Sequence, residues 1–103
     1  MKESDWKKFR VIKEQALDRF CTQILSECEQ VITHQDERAH QRYLALFDLM
    51  NKRDEEVSEI FDGHSRSQAR LQLLAMRSRG LADDKLVAEL SEEFQAQTNP
   101  HRS

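Results

Sequence analysis

From Trp6 to Ile32 the apolar residues return every three or four positions. Trp6, Phe9, Leu17, Phe20, Ile24, Cys28 and Val31 form one line, and Ile12, Cys21, Leu25 and Ile32 widen it. This is the period of an α-helix with one buried face. A stripe of that length predicts a rod that some other part of the chain, or a second chain, has to cover. The rest of the sequence agrees with helix. Among 103 residues there are 2 glycines and 1 proline, too few to punctuate the turns of a sheet.

The expected fold class is therefore all-α, a four-helix antiparallel bundle-like domain in which two long helices form a hairpin and two shorter ones follow. A single domain is predicted over residues 1–97, with helices at about 5–33, 37–62, 66–79 and 84–97. Ser4 suits the first N-cap and Asp5 the first turn, where a negative charge meets the helix dipole. The polar run Thr33-His34-Gln35-Asp36-Glu37-Arg38 predicts a break, with Thr33 or Asp36 as cap. It holds neither glycine nor proline, so one continuous rod is the alternative. The second helix carries Ala39, Tyr43, Phe47, Met50, Val57 and Phe61, and its stripe is interrupted at Arg53 and Asp54. Gly63 suits the left-handed position after it.

Ser65 and Gln68 read as a capping box for the third helix. At its far end Gly80 fits the left-handed position and Leu81 folds back onto Met76. Asp83 caps the fourth helix, along which Leu86, Leu90 and Phe94 repeat. The tail at 98–103, with the only proline, is expected to be disordered.

Charge is distributed in blocks. Residues 1–35 carry six basic and six acidic groups, 36–62 four and eight, 63–82 four and none, and 83–103 two and five, which sums to the net −3. The third block consists of Arg66, Arg70, Arg77 and Arg79. On a helix Arg66, Arg70 and Arg77 fall within about 40° of one another, beside Leu73. The other apolar residues of that helix spread around most of its circumference, so two buried faces are expected, one in the core and one elsewhere. Arginine is enriched at protein interfaces. The candidate partner-binding residues are accordingly Arg66, Arg70, Leu73 and Arg77. The plainer alternative has these arginines paired with acids at 54–62 or 83–93.

Catalytic chemistry finds little support. The two glycines are far apart and read as helix ends, so no phosphate loop is present. Adjacent carboxylates such as Glu55-Glu56 and Glu92-Glu93 point about 100° apart on a helix and decorate solvent faces. One metal-like spacing exists in His34, Glu37 and His40, weak candidates for a zinc or di-iron type site. A second Glu-x-x-His is missing, so no metal or other cofactor is expected.

Helices three and four resemble a helix-turn-helix in layout. The second helix, however, carries Asp83, Asp84, Glu89, Glu92 and Glu93 against Lys85, and would be repelled by phosphate. Cys21 and Cys28, seven residues apart, lie about 10.5 Å from each other on one helix. That exceeds the reach of a disulfide, about 7 Å. They are expected to be buried thiols in a reducing, cytoplasmic setting. No apolar run suggests a signal peptide or a membrane span.

The reading favoured by these features is a non-enzymatic helical interaction module, an adaptor, inhibitor or regulator of a protein partner. It is expected to be homodimeric, because the first helix carries more stripe than the short helices cover. Nucleic-acid regulation through the arginine helix and a metal-binding bundle are the alternatives.

Overall fold

The long stripe folds as one uninterrupted helix, α1 (Glu3–Ile32), in a computed structural model that describes residues 1–101. Four further helices follow: α2 (Ala39–Phe61), α3 (Arg66–Ser78), α4 (Asp84–Val87) and α5 (Glu92–Gln97), with no strand among the described residues. The chain is all-helical, as expected. The break between α1 and α2 falls at residues 33–38 and excludes the continuous rod. Neither Thr33 nor Asp36 caps α2, whose N-cap is Arg38 without a side-chain bond. Thr33 instead closes α1, its hydroxyl donating to the Glu29 carbonyl at 2.8 Å.

At about 1.5 Å per residue α1 is about 45 Å long, close to the 53 Å long axis of the molecule. Its inner face is covered by different partners along its length. Phe9, Ile12 and Ala16 are buried together with Leu81, Val87, Leu90 and Phe94, and Phe20 meets Phe61 with ring centroids 6.3 Å apart. Beyond Phe20 the remaining partner is α2. The molecule is therefore a globular end built from all five helices and an arm built from two.

The predicted fourth helix is divided. Asp83 does cap α4, its carboxylate accepting from the Lys85 and Leu86 amides at 2.8 and 3.3 Å. The helix then stops at Val87, and Ser91 starts α5 by accepting from the Phe94 amide at 3.2 Å. Ser91 followed by Glu92 and Glu93 is itself an N-cap with acids in the first turn, so the division had a signal in the sequence. A four-helix bundle within one chain is replaced by three longer helices and two short ones.

Asp5 explains why the division is stable. It lies in the first turn of α1, as expected, and is 3% exposed. Its two oxygens accept from the Ser91 amide at 2.8 Å and the Ser91 hydroxyl at 2.6 Å. Ser4 is exposed, and the N-cap is Lys2.

The other helix ends hold in part. Gly63 and Gly80 both have positive φ, +88° and +69°. At Gly80 the Leu81 amide bonds to the Met76 carbonyl at 2.9 Å and the Gly80 amide to the Arg77 carbonyl at 3.1 Å, the two bonds of a Schellman end. At Ser65 the capping box does not form. Its hydroxyl donates to the Gln68 side-chain oxygen at 3.0 Å and leaves the amide alone.

Of the segment expected to fray, the first residue, Thr98, is anchored. Thr98 is fully buried and donates to the Phe94 carbonyl at 2.8 Å. Arg102 and Ser103, also in the predicted tail, lie outside the described residues.

Two stability outcomes follow. Asp5→Ala is expected to cost about 2 kcal/mol, since it leaves the part-buried Ser91 amide without its acceptor, while Ser4→Ala leaves the urea midpoint unchanged. Gly80→Ala, which meets open space but needs a left-handed residue, is expected to cost about 1 kcal/mol. Urea denaturation of the three variants checks both.

Candidate docking surface

Three of the four arginines at positions 66–79 turn towards their own chain. Arg66 pairs with Glu3 at 2.6 Å and lies over the Trp6 ring at 5.4 Å. Arg77 reaches the last helix, donating to the Gln95 carbonyl at 2.8 Å and the Thr98 hydroxyl at 2.9 Å. Arg79 pairs with Glu56 at 3.1 Å and covers the Phe20 ring at 5.6 Å. Leu73 is 0% exposed and belongs to the core, so a partner meets none of its surface. Of the four residues expected to form one binding face, Arg70 alone is exposed without an ion pair among the described residues. Beside it stands exposed Leu71.

Arg53, where the stripe of α2 lapses, proves to be a seam residue. Its Nε and Nη2 donate to the two Glu27 oxygens at 3.1 and 2.9 Å, and its Nη1 donates to Glu56 at 2.8 Å. With Arg79 on Glu56, one chain of charges joins α1, α2 and α3. The hydrogen bonds from Arg53 hold the Glu27 carboxyl below the usual carboxylate range against a smaller opposing desolvation. The same pairing raises Arg53. Lys13 is lowered by desolvation, with Asp62 opposing, where it donates to the Gly63 carbonyl at 2.5 Å.

Beyond this network the arm has two flanks. On one, a groove of about 680 Å³ is lined by residues including Glu27, Val31, His34, Glu37, Arg42 and Leu49. Arg42 donates to the Ile32 carbonyl there, and its Nε is buried without a partner. His34 and Glu37 share this groove, but His40 stacks on Tyr43 at 6.4 Å instead. No group of three metal-ligating side chains converges among the described residues, so His34, Glu37 and His40 are not brought together as a metal site.

The other flank is apolar and open. Met50 and Glu56 are six residues apart, which places them about 120° apart around α2. Arg79, just past the end of α3, therefore meets α2 on the Glu56 side, away from Met50. On the Met50 side stand Tyr43, 63% exposed, and Phe47, 57% exposed, with Met50 itself also exposed. They fall within about 60° on the helix. Cys21, Leu25, Cys28 and Ile32 share a face of α1 of similar width, and Leu25 is 66% exposed. The Cys28 thiol donates to the Met50 sulfur at 3.3 Å and joins the two sets into one patch. Cys28 is buried and Cys21 half-buried, and both are free thiols.

The sequence predicts surplus apolar surface along the α1 stripe, beyond what the short helices cover. The centre of that stripe, Phe9 to Ile24, is buried within the chain. The uncovered surface is the edge of the stripe together with the exposed side of α2. The signal was present in Tyr43, Phe47 and Met50, whose spacing continues past the point where α3 ends.

Glu27 links this geometry to pH. A carboxyl depressed in the folded state contributes stability that is present above its unfolded value and lost as pH falls through the folded one. The stability difference between the natural chain and Glu27→Gln, measured by urea unfolding, should therefore shrink as pH drops from neutral through the carboxylate range. No helix among the described residues is long and apolar enough to cross a membrane. No family model, no curated protein and no solved structure matches the chain.

Proposed function

We propose that this chain is a non-enzymatic helical interaction module that docks protein through the open flank of its arm, as an adaptor, inhibitor or regulator. The observation that carries the reading is the exposure of Tyr43, Phe47, Met50, Leu25 and Ile32 on one flank of a two-helix arm. Aromatic and methionine side chains are the groups enriched at protein interfaces, and a desolvated aromatic anchor supplies much of an interface's binding energy.

The arginine face offers less to a partner, because three of its four guanidinium groups already bind carboxylates, carbonyls or a hydroxyl of this chain. Arg70 and Leu71 remain as a small second contact on α3.

The test is photo-crosslinking in the native host, with a photoreactive phenylalanine analogue at position 47 and a control at exposed Asp18. Position 47 is expected to give a discrete protein adduct and position 18 none. The reading fails if position 47 yields no protein adduct at all.

A further inference from the structure

The geometry points to a second copy of this chain as the occupant of the open flank, with the two arms packed antiparallel about a two-fold axis at Phe47. This inference rests on the docking reading above and names its partner.

The seam on α2 runs His40, Tyr43, Phe47, Met50, Asp54, in steps of three and four residues. Such a repeat keeps one face towards a neighbouring helix. Its two ends carry different groups at the seam, with Asp36 and Glu37 lying further out before Arg38, and Lys52 and Arg53 just before Asp54. His40 lies seven residues before Phe47 and Asp54 seven residues after it; Arg38 stands beside the first and Glu55 beside the second, all four exposed.

Antiparallel pairing about Phe47 places position 54 of one copy opposite position 40 of the other, since each is about 10.5 Å from the axis. Arg38 and His40 of each copy then come beside Asp54 and Glu55 of its mate. Met50 falls opposite Leu44, another exposed apolar residue of the same helix. Parallel pairing would set Asp54 against Asp54, with repulsion in place of attraction. The flank is thus complementary to itself in one orientation, which is what a two-fold interface requires.

Leu25, Cys28 and Ile32 of α1 border the seam on one side, so each arm brings two helices to the contact. Two arms assemble the four antiparallel helices that one chain does not complete. The seam from position 40 to 54 is about 21 Å long, short for an interface, so dissociation in the micromolar range is expected.

Sedimentation equilibrium of the full chain from one to several hundred micromolar is the test. The natural chain is expected to pass from one-chain to two-chain mass. Phe47→Glu and Tyr43→Lys should each weaken association at least about tenfold, with helical circular dichroism and melting midpoint unchanged, because both residues are exposed in the single chain. Should either lose helicity, the other reads the contact.

Asp54→Lys should weaken the dimer, and His40→Glu combined with Asp54→Lys should restore it. One-chain mass throughout, or a dimer indifferent to both aromatic variants, overturns the second copy. A swap that fails to restore overturns the antiparallel register. If the crosslink at position 47 captures a different protein while the purified chain stays monomeric, the self-pairing falls and the docking reading stands. Loss of every adduct at that position removes the docking reading itself.

Discussion

Short helices expose more backbone groups than they satisfy, and that constraint organises the globular end. A helix of four or six residues leaves most of its terminal amides and carbonyls without an internal partner. Here the segment's own Asp83, Ser91 and Gln95 and Arg77 of α3 supply some of the partners, and polar side chains along α1 tie down this segment and the neighbouring helix ends. Asp5 accepts from Ser91, Lys8 donates to the Glu89 carbonyl, Lys13 to the Gly63 carbonyl and Arg19 to the Leu81 carbonyl. The apolar stripe beside them buries Leu81, Val87, Leu90 and Phe94. α1 thus acts as both hydrophobic floor and hydrogen-bond rail for a segment too irregular to stand alone.

The arm depends on a different interaction. With no third layer over it, its two helices are held by Ile24, Leu46 and Leu49 and by the bidentate Arg53–Glu27 pair. Exposed ion pairs contribute little, but a bidentate arginine in a network fixes geometry. Arg53 sits where that network passes from the arm to the globular end through Glu56 and Arg79. One polar residue in an apolar seam therefore sets how α1, α2 and α3 are registered.

Much of this was legible in the residues. The α1 stripe, the ends at Gly63 and Gly80, the fold-back of Leu81 onto Met76 and the Asp83 cap all rest on local chemistry, and they follow from spacing alone. The arginine face was not legible. A helical wheel groups Arg66, Arg70, Leu73 and Arg77, yet guanidinium groups reach far from their Cα atoms. Each went to an acceptor that tertiary packing brought near, Glu3 for Arg66 and Gln95 with Thr98 for Arg77. Leu73 and Arg77 show the limit from the other side, since neighbours on a wheel were divided between core and periphery. Asp5 lies in the first turn as its position indicates, but its burial was not legible, because its partner Ser91 is 86 residues away and no local pattern announces it.

That same separation has a bearing on synthesis. Asp5 and Ser91 are 86 positions apart, whereas the arm closes through the six residues 33–38. The arm is therefore the first part that can fold as the nascent chain emerges. Phe9 and Ile12 wait for Leu81 to Phe94, a delay on the order of ten seconds at ordinary translation rates. During that interval the first turns of α1 present a bare aromatic and aliphatic edge, the kind of surface that chaperones bind. A slow stretch of translation between positions 35 and 80 would lengthen that exposure, and the chain's yield would depend on how soon residues 81–94 are made.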